Sequence, residues 1–153
     1  MGKMLKAIHA DDAAHYEKLG LIPHQVQLWE DGMRTDGSKG TYEWWYFDSS
    51  YPDGTKLIIF FYSKSPIMVD GPIKPMATME LTLPDGRKFE EQVDAAIADS
   101  FYSKEKCDIR IGQCHMDGDL THYHIVFKGN FRFFTIFAYG KRSARQGQFD
   151  PIR

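Results

Sequence analysis

The chain has 153 residues, 42% of them apolar and 26% charged, a composition that fits one globular domain with enough apolar material for a core without metal or disulfide staples. Lys and Arg number 19 against 21 Asp and Glu, a formal net charge of −2, which argues against a surface built mainly to hold nucleic acid or an anionic membrane. No apolar run approaches the ~18 residues of a membrane-spanning helix, and the first residues hold no apolar stretch of signal-peptide length, so a cytoplasmic protein is expected.

The first element predicted is a helix. Asp11 or Asp12 caps Ala-Ala-His-Tyr-Glu-Lys-Leu, Gly20 suits a left-handed stop, and Pro23 lies just beyond. Residues 1–23 are therefore read as an N-terminal helical segment. From residue 24 to 140 the chain reads as strands and turns, at 25–30, 41–48, 56–62, 76–83, 88–93, 107–112, 120–127 and 131–139. In 76–83 the alternation is clean, with Met79, Leu81 and Leu83 on one face and Thr78, Glu80 and Thr82 on the other. Asp53-Gly54, Asp85-Gly86, Asp117-Gly118 and Gly129-Asn130 supply hairpin turns. The fold class expected is mostly β: an antiparallel barrel or curved meander of about eight strands, because a meander of this size loses its exposed edges on closing. Residues 64–76, with three prolines, form an irregular connection. Residues 141–153 are polar and basic and read as a tail.

Cys107 and Cys114 flank a segment read as one strand. Seven steps along it span ~23 Å and place the two side chains on opposite faces. A disulfide needs Cα atoms within ~7 Å, so both are expected as free thiols of a reducing compartment. His122 and His124 share a strand face, near Cys114, His115 and Asp117, a spacing that suits a metal given a third ligand. Tyr123, Ile125 and Phe127 take the alternate positions and read as core. The histidines then point outward, and no metal site is assigned.

The densest chemistry lies in Tyr42-Glu43-Trp44-Trp45-Tyr46-Phe47-Asp48. On a strand, Tyr42, Trp44, Tyr46 and Asp48 share one face and Glu43, Trp45 and Phe47 the other. Each face carries one carboxylate among rings, an environment that raises a carboxyl pKa and suits a proton donor. The plainer reading is a core strand in which Glu43 pairs with a cation or accepts backbone bonds. Both faces being aromatic, both Trp44 and Trp45 are expected to be largely buried, the outer one under the helix, a loop or another domain.

This string, followed by Pro52-Asp-Gly-Thr-Lys and the apolar strand Leu57-Ile-Ile-Phe-Phe-Tyr, resembles the N-terminal part of the hydroxyneurosporene synthase family, the carotenoid 1,2-hydratases and their AttH-like relatives. Leu81-Thr-Leu-Pro-Asp-Gly, Asp108-Ile-Arg-Ile-Gly-Gln, Gly118-Asp-Leu and Tyr123-His-Ile extend the likeness over roughly residues 24–130. The resemblance implies a lipocalin-like domain, the first of two such halves, and an apolar, isoprenoid-like ligand. It also implies cofactor-independent hydration or cyclisation of an alkene, as by a hydratase (lyase) or a cyclase or isomerase. In that reading Glu43 or Asp48 protonates the alkene, while Trp44, Trp45, Tyr46 and Phe61 stabilise the developing cation. The alternatives are a non-catalytic lipid or isoprenoid carrier, and an interaction half that pairs with a second lipocalin-like domain or with its own copy.

Overall fold

The computed structural model describes residues 12–130, 133–142 and 149–151. Helix α1 (Ala13–Leu19) forms between the caps its sequence supplies: the Asp12 carboxylate accepts the His15 N–H at 2.8 Å, and Gly20 turns out at φ 68°. Segment 25–30 is not the expected strand. Leu28–Asp31 is a 3₁₀ turn, because Gln27 and Glu30 make a reciprocal capping box that outweighs the alternating pattern.

Among the described residues ten strands follow, rather than about eight. The first sheet holds β1 (Glu43–Ser50), β2 (Lys56–Lys64), β3 (Met76–Thr82) and β4 (Lys88–Asp94) in sequential antiparallel order. The second holds β5 (Ser100–Tyr102), β6 (Asp108–Ile111), β7 (Cys114–Gly118), β8 (His122–Lys128), β9 (Phe133–Arg142) and β10 (Phe149–Pro151), also sequential. The meander expectation therefore stands. The closed barrel does not: among the described residues no ladder joins β4 to β5 or β1 to β10. The chain leaves the first sheet through a 3₁₀ turn at Ile97–Asp99, and this corner separates the two ladders.

Two strands differ from the sequence reading for local reasons. Gly112, at φ 57°, begins a two-residue hairpin, so Cys114–Gly118 returns as a strand of its own. The next turn lies at 119–121 rather than at Asp117-Gly118. There Leu120 is held at φ 76° while the Asp119 carboxylate accepts from the Thr121 N–H, the Thr121 hydroxyl and the His122 N–H. Because the chain folds back at Gly112, Cys107 and Cys114 both enter the core instead of opposite faces. They remain free thiols. Cys107 O accepts the Gly118 N–H at 3.0 Å, which leaves Cys114 four residues farther along the neighbouring strand, about 13 Å away.

The core fills the space between the inner sheet faces. Leu57, Ile59, Phe61, Ala77 and Met79 come from the first sheet, and Ile109, Ile111, Met116, Ile125 and Phe127 from the second. Trp45 and Phe47 pack against this cluster from β1. Strand β9 runs past residue 140 and pairs with β10, so 141–142 and 149–151 are strand. The rest of segment 141–153 lies outside the described residues. No described helix is long and apolar enough to cross a membrane.

Candidate functional site

Strand β1 sorts the sequence-assigned residues between two faces. Trp44, Tyr46 and Asp48 point away from the core; Glu43, Trp45 and Phe47 point toward it. The expectation that both tryptophans are largely buried fails at Trp44, which is 41% exposed. Trp45 is half-buried: its ring stacks on Tyr102 at 5.6 Å, and its indole N–H donates to Asp31 O at 2.8 Å. Phe61 lies on the inner face of β2, fully buried in the core. The four aromatic residues assigned to one ligand site thus divide, Trp44 and Tyr46 outside, Trp45 and Phe61 inside.

Glu43 is turned toward the segment before β1. Its carboxylate accepts from the Arg34 N–H at 2.7 Å, the Thr35 N–H at 3.0 Å and the Thr35 hydroxyl at 2.8 Å. Both oxygens act as acceptors, which is the plainer of the two roles read from sequence. The neighbouring Lys64 is buried, and its ammonium donates to Gly37 O at 3.1 Å and Ser38 O at 2.8 Å. Glu43 and Lys64, adjacent in the β1–β2 register, fasten the 34–38 loop across the end of the first sheet.

The outer face of the first sheet is an aromatic ladder. Register places Trp44 opposite Tyr62, Tyr46 opposite Phe60 and Asp48 opposite Ile58. Phe60 stacks on Tyr62 at 5.3 Å, Tyr46 leans on Phe60 at 4.9 Å, and Tyr42 stacks on Trp44 at 5.4 Å. Trp44 meets Phe60 and Tyr62 edge-on. Tyr42 and Tyr46, like Trp44, are exposed. An open trough of about 390 Å³ continues from Phe60 and Tyr62 past Ile58 and Thr78 to Glu80 and Gln92. Partial burial, then the neighbouring Asp48 charge, push the Tyr46 hydroxyl above its ordinary value. Burial does the same for Tyr62. Both phenols therefore keep their protons and stand as donors. The sequence missed Phe60 and Tyr62. Their signal was the i, i+2 spacing with Ile58 in a run that looked uniformly apolar.

A second cluster stands on the outer face of the second sheet. His115 and Asp117 alternate outward on β7, and His124 lies directly opposite Asp117 on β8. His115 Nε2 is 3.2 Å from His124 Nδ1 and 3.6 Å from Asp117 Oδ1. His124 Nδ1 is 3.3 Å from Asp117 Oδ1. Phe137, opposite on β9, stacks on His124 at 4.7 Å. Burial, then the nearby His124, hold His115 below the ordinary histidine value, which keeps its ring neutral. His122 does not join: its Nδ1 sits 2.8 Å from the Thr121 hydroxyl. The outward direction of the β8 histidines and the core positions of Ile125 and Phe127 agree with the sequence reading.

No family model matches the chain, and comparisons with curated proteins and with solved structures gave no match.

Proposed function

We propose that the protein binds an apolar unsaturated molecule of isoprenoid type on the aromatic outer face of the first sheet, within a lipocalin-like architecture of the kind the sequence resemblance implies. The observation that carries this reading is the contiguous aromatic ladder in which exposed Tyr42, Trp44 and Tyr46 lie against half-buried Phe60 and Tyr62. Extended unsaturated chains bury their surface well against ring faces, and polar contacts at one end fix their orientation. Asp48 and the Tyr46 hydroxyl provide that polar end. The space between the sheets is filled by the core cluster, which favours the outer face over a barrel interior as the binding surface.

If the protein is catalytic, the reaction is hydration or cyclisation of an alkene. Asp48, when it carries a proton, gives it to the alkene, and the Trp44 and Tyr46 ring faces stabilise the carbocation; water then adds to the cation in hydration, or the Asp48 carboxylate takes a neighbouring proton back after cyclisation. The acid role falls to Asp48 because the Glu43 oxygens already accept three hydrogen bonds. Without turnover the same face serves a carrier. The exposure of this ladder also favours a second reading, a docking face for a second lipocalin-like half or a second copy.

Titration with a solvatochromic apolar dye, alongside sedimentation of the same sample, tests both. Saturable binding by a monomer that Trp44→Ala weakens and Phe101→Ala, on the other sheet, leaves unchanged supports the ligand reading. A dimer that excludes the dye supports the docking reading. A monomer without dye binding contradicts both.

A further inference from the structure

We propose that His115 Nε2, Asp117 Oδ1 and His124 Nδ1 are the three protein ligands of a divalent transition-metal site on the second sheet, and that zinc is the ion their geometry fits. The three atoms form a triangle with edges of 3.2, 3.3 and 3.6 Å. Ligands of a tetrahedral zinc at about 2.05 Å stand ~3.3 Å apart, so a point at zinc distance from all three lies just outside the plane of this triangle. Two imidazoles and one carboxylate select a zinc-like ion over calcium or magnesium, which prefer oxygen shells.

Ring protons alone do not satisfy the triangle while Asp117 is a carboxylate. With one ring nitrogen protonated, a carboxylate oxygen faces a nitrogen lone pair. With both protonated, the two N–H groups confront each other across the 3.2 Å edge. With Asp117 ionised, each of these ring states leaves one edge with like facing like, whereas a single cation between the three atoms relieves all of them. Placement is rigid as well. All three ligands stand on paired strands β7 and β8 rather than on loops, and Phe137 backs the His124 ring. A cleft of about 320 Å³, lined by Asp117, Tyr123 and His124, opens beside the cluster. Three protein ligands next to an open cleft leave the fourth position to water or a small donor molecule, the pattern of a reactive rather than a closed structural zinc site.

The test uses the full chain, freed of metal by a chelator and dialysed against zinc in competition with a chromophoric indicator. One zinc per chain is expected. Replacing zinc by cobalt should give the visible absorption of a tetrahedral ion. His115→Ala and His124→Ala should each weaken zinc binding by on the order of 100-fold or more, since even indirect supports of a metal ligand cost 10–100-fold. Asp117→Asn, which keeps the side-chain shape, should weaken it too, and His122→Ala should leave it unchanged. Far-ultraviolet circular dichroism of each variant confirms that the strands persist. Failure of the chain to retain stoichiometric zinc overturns the proposal, as does retention unaffected by His115→Ala or loss on His122→Ala alone.

Discussion

Adjacent tryptophans with opposite surroundings make a sharp stability experiment. Trp45 packs against the core, stacks on Tyr102 and donates its indole N–H to Asp31 O. Truncation to Ala removes the buried ring area, a stacked pair worth about 1 kcal/mol and a hydrogen bond worth about 1 kcal/mol, for a total near the 3–5 kcal/mol of such substitutions. Trp44 is 41% exposed and leans on the neighbouring rings Tyr42, Phe60 and Tyr62 of the outer face. Its truncation should cost about 1 kcal/mol or less, the size of a cross-strand pair. For a chain of this length each kcal/mol moves the melting temperature by about 2–4 °C. Trp45→Ala should therefore lower it by on the order of 10 °C and Trp44→Ala by no more than about 4 °C. Trp45→Phe, which keeps a ring but removes the indole hydrogen bond to Asp31 O, should fall between them at about 1–2 kcal/mol. Thermal and urea unfolding followed by circular dichroism give the three values. Equal losses at Trp44 and Trp45, or a larger one at Trp44, would overturn the division of β1 into a core face and an open face.

Three further outcomes are expected. Glu43→Ala should cost about 2–3 kcal/mol in urea unfolding, because it leaves the Arg34 and Thr35 donors without their charged acceptor, and Glu43→Gln should recover part of that loss. An unchanged midpoint for Glu43→Ala would show that the carboxylate does not fasten the loop. Asp119 is held below the ordinary carboxylate range by the Thr121 hydroxyl and the His122 and Thr121 N–H groups. Its stabilisation is therefore complete above ~3.9 and fades as the pH falls below that value. The stability gap between the wild type and Asp119→Ala should stay level near neutrality and close in acid; a gap that persists unchanged to low pH would contradict the anchoring of Leu120. Burial pushes both the Cys107 and Cys114 thiols up, so Ellman's reagent should titrate neither in the native protein and both after denaturation. Rapid native labelling of either would place it outside the core.

What was legible in the sequence follows from where local rules act alone. Asp12, Gly20 and the 13–19 run announce their helix because caps and propensity agree. The two faces of 43–48 and the inward Met79 and Leu81 followed from period-two alternation, which the sheet preserves. Segment 25–30 alternates equally well, yet the capping box at Gln27 and Glu30 closes a turn that a strand pattern does not reveal. The hairpin at Gly112 escaped notice because Ile111-Gly-Gln-Cys lacks the Asn-Gly or Asp-Gly signature, and missing it hid β7. With β7 unrecognised, His115 and Asp117 had no defined face, and the pairing that brings them to His124 lay in the register of two strands. Phe61 and Phe60 are neighbours in an unbroken apolar run. Only the packing of the second sheet decides that Phe61 turns inward and Phe60 outward. The closed barrel followed from the need to remove edges, yet among the described residues both ladders stay open, with β1, β4, β5 and β10 as their terminal strands.

The chain contains three tryptophans, Trp29, Trp44 and Trp45, and their indole N–H resonances give a direct report on the aromatic face. The decisive measurement is a nitrogen–proton correlation spectrum recorded while an unsaturated isoprenoid alcohol is added to the isotope-labelled protein. Binding on the outer face should move the Trp44 indole signal saturably and leave Trp45, bonded to Asp31 O, nearly still. Movement of Trp45 alone would place the molecule between the sheets, and a spectrum with no indole shift at saturating alcohol would contradict apolar ligand binding on the ladder.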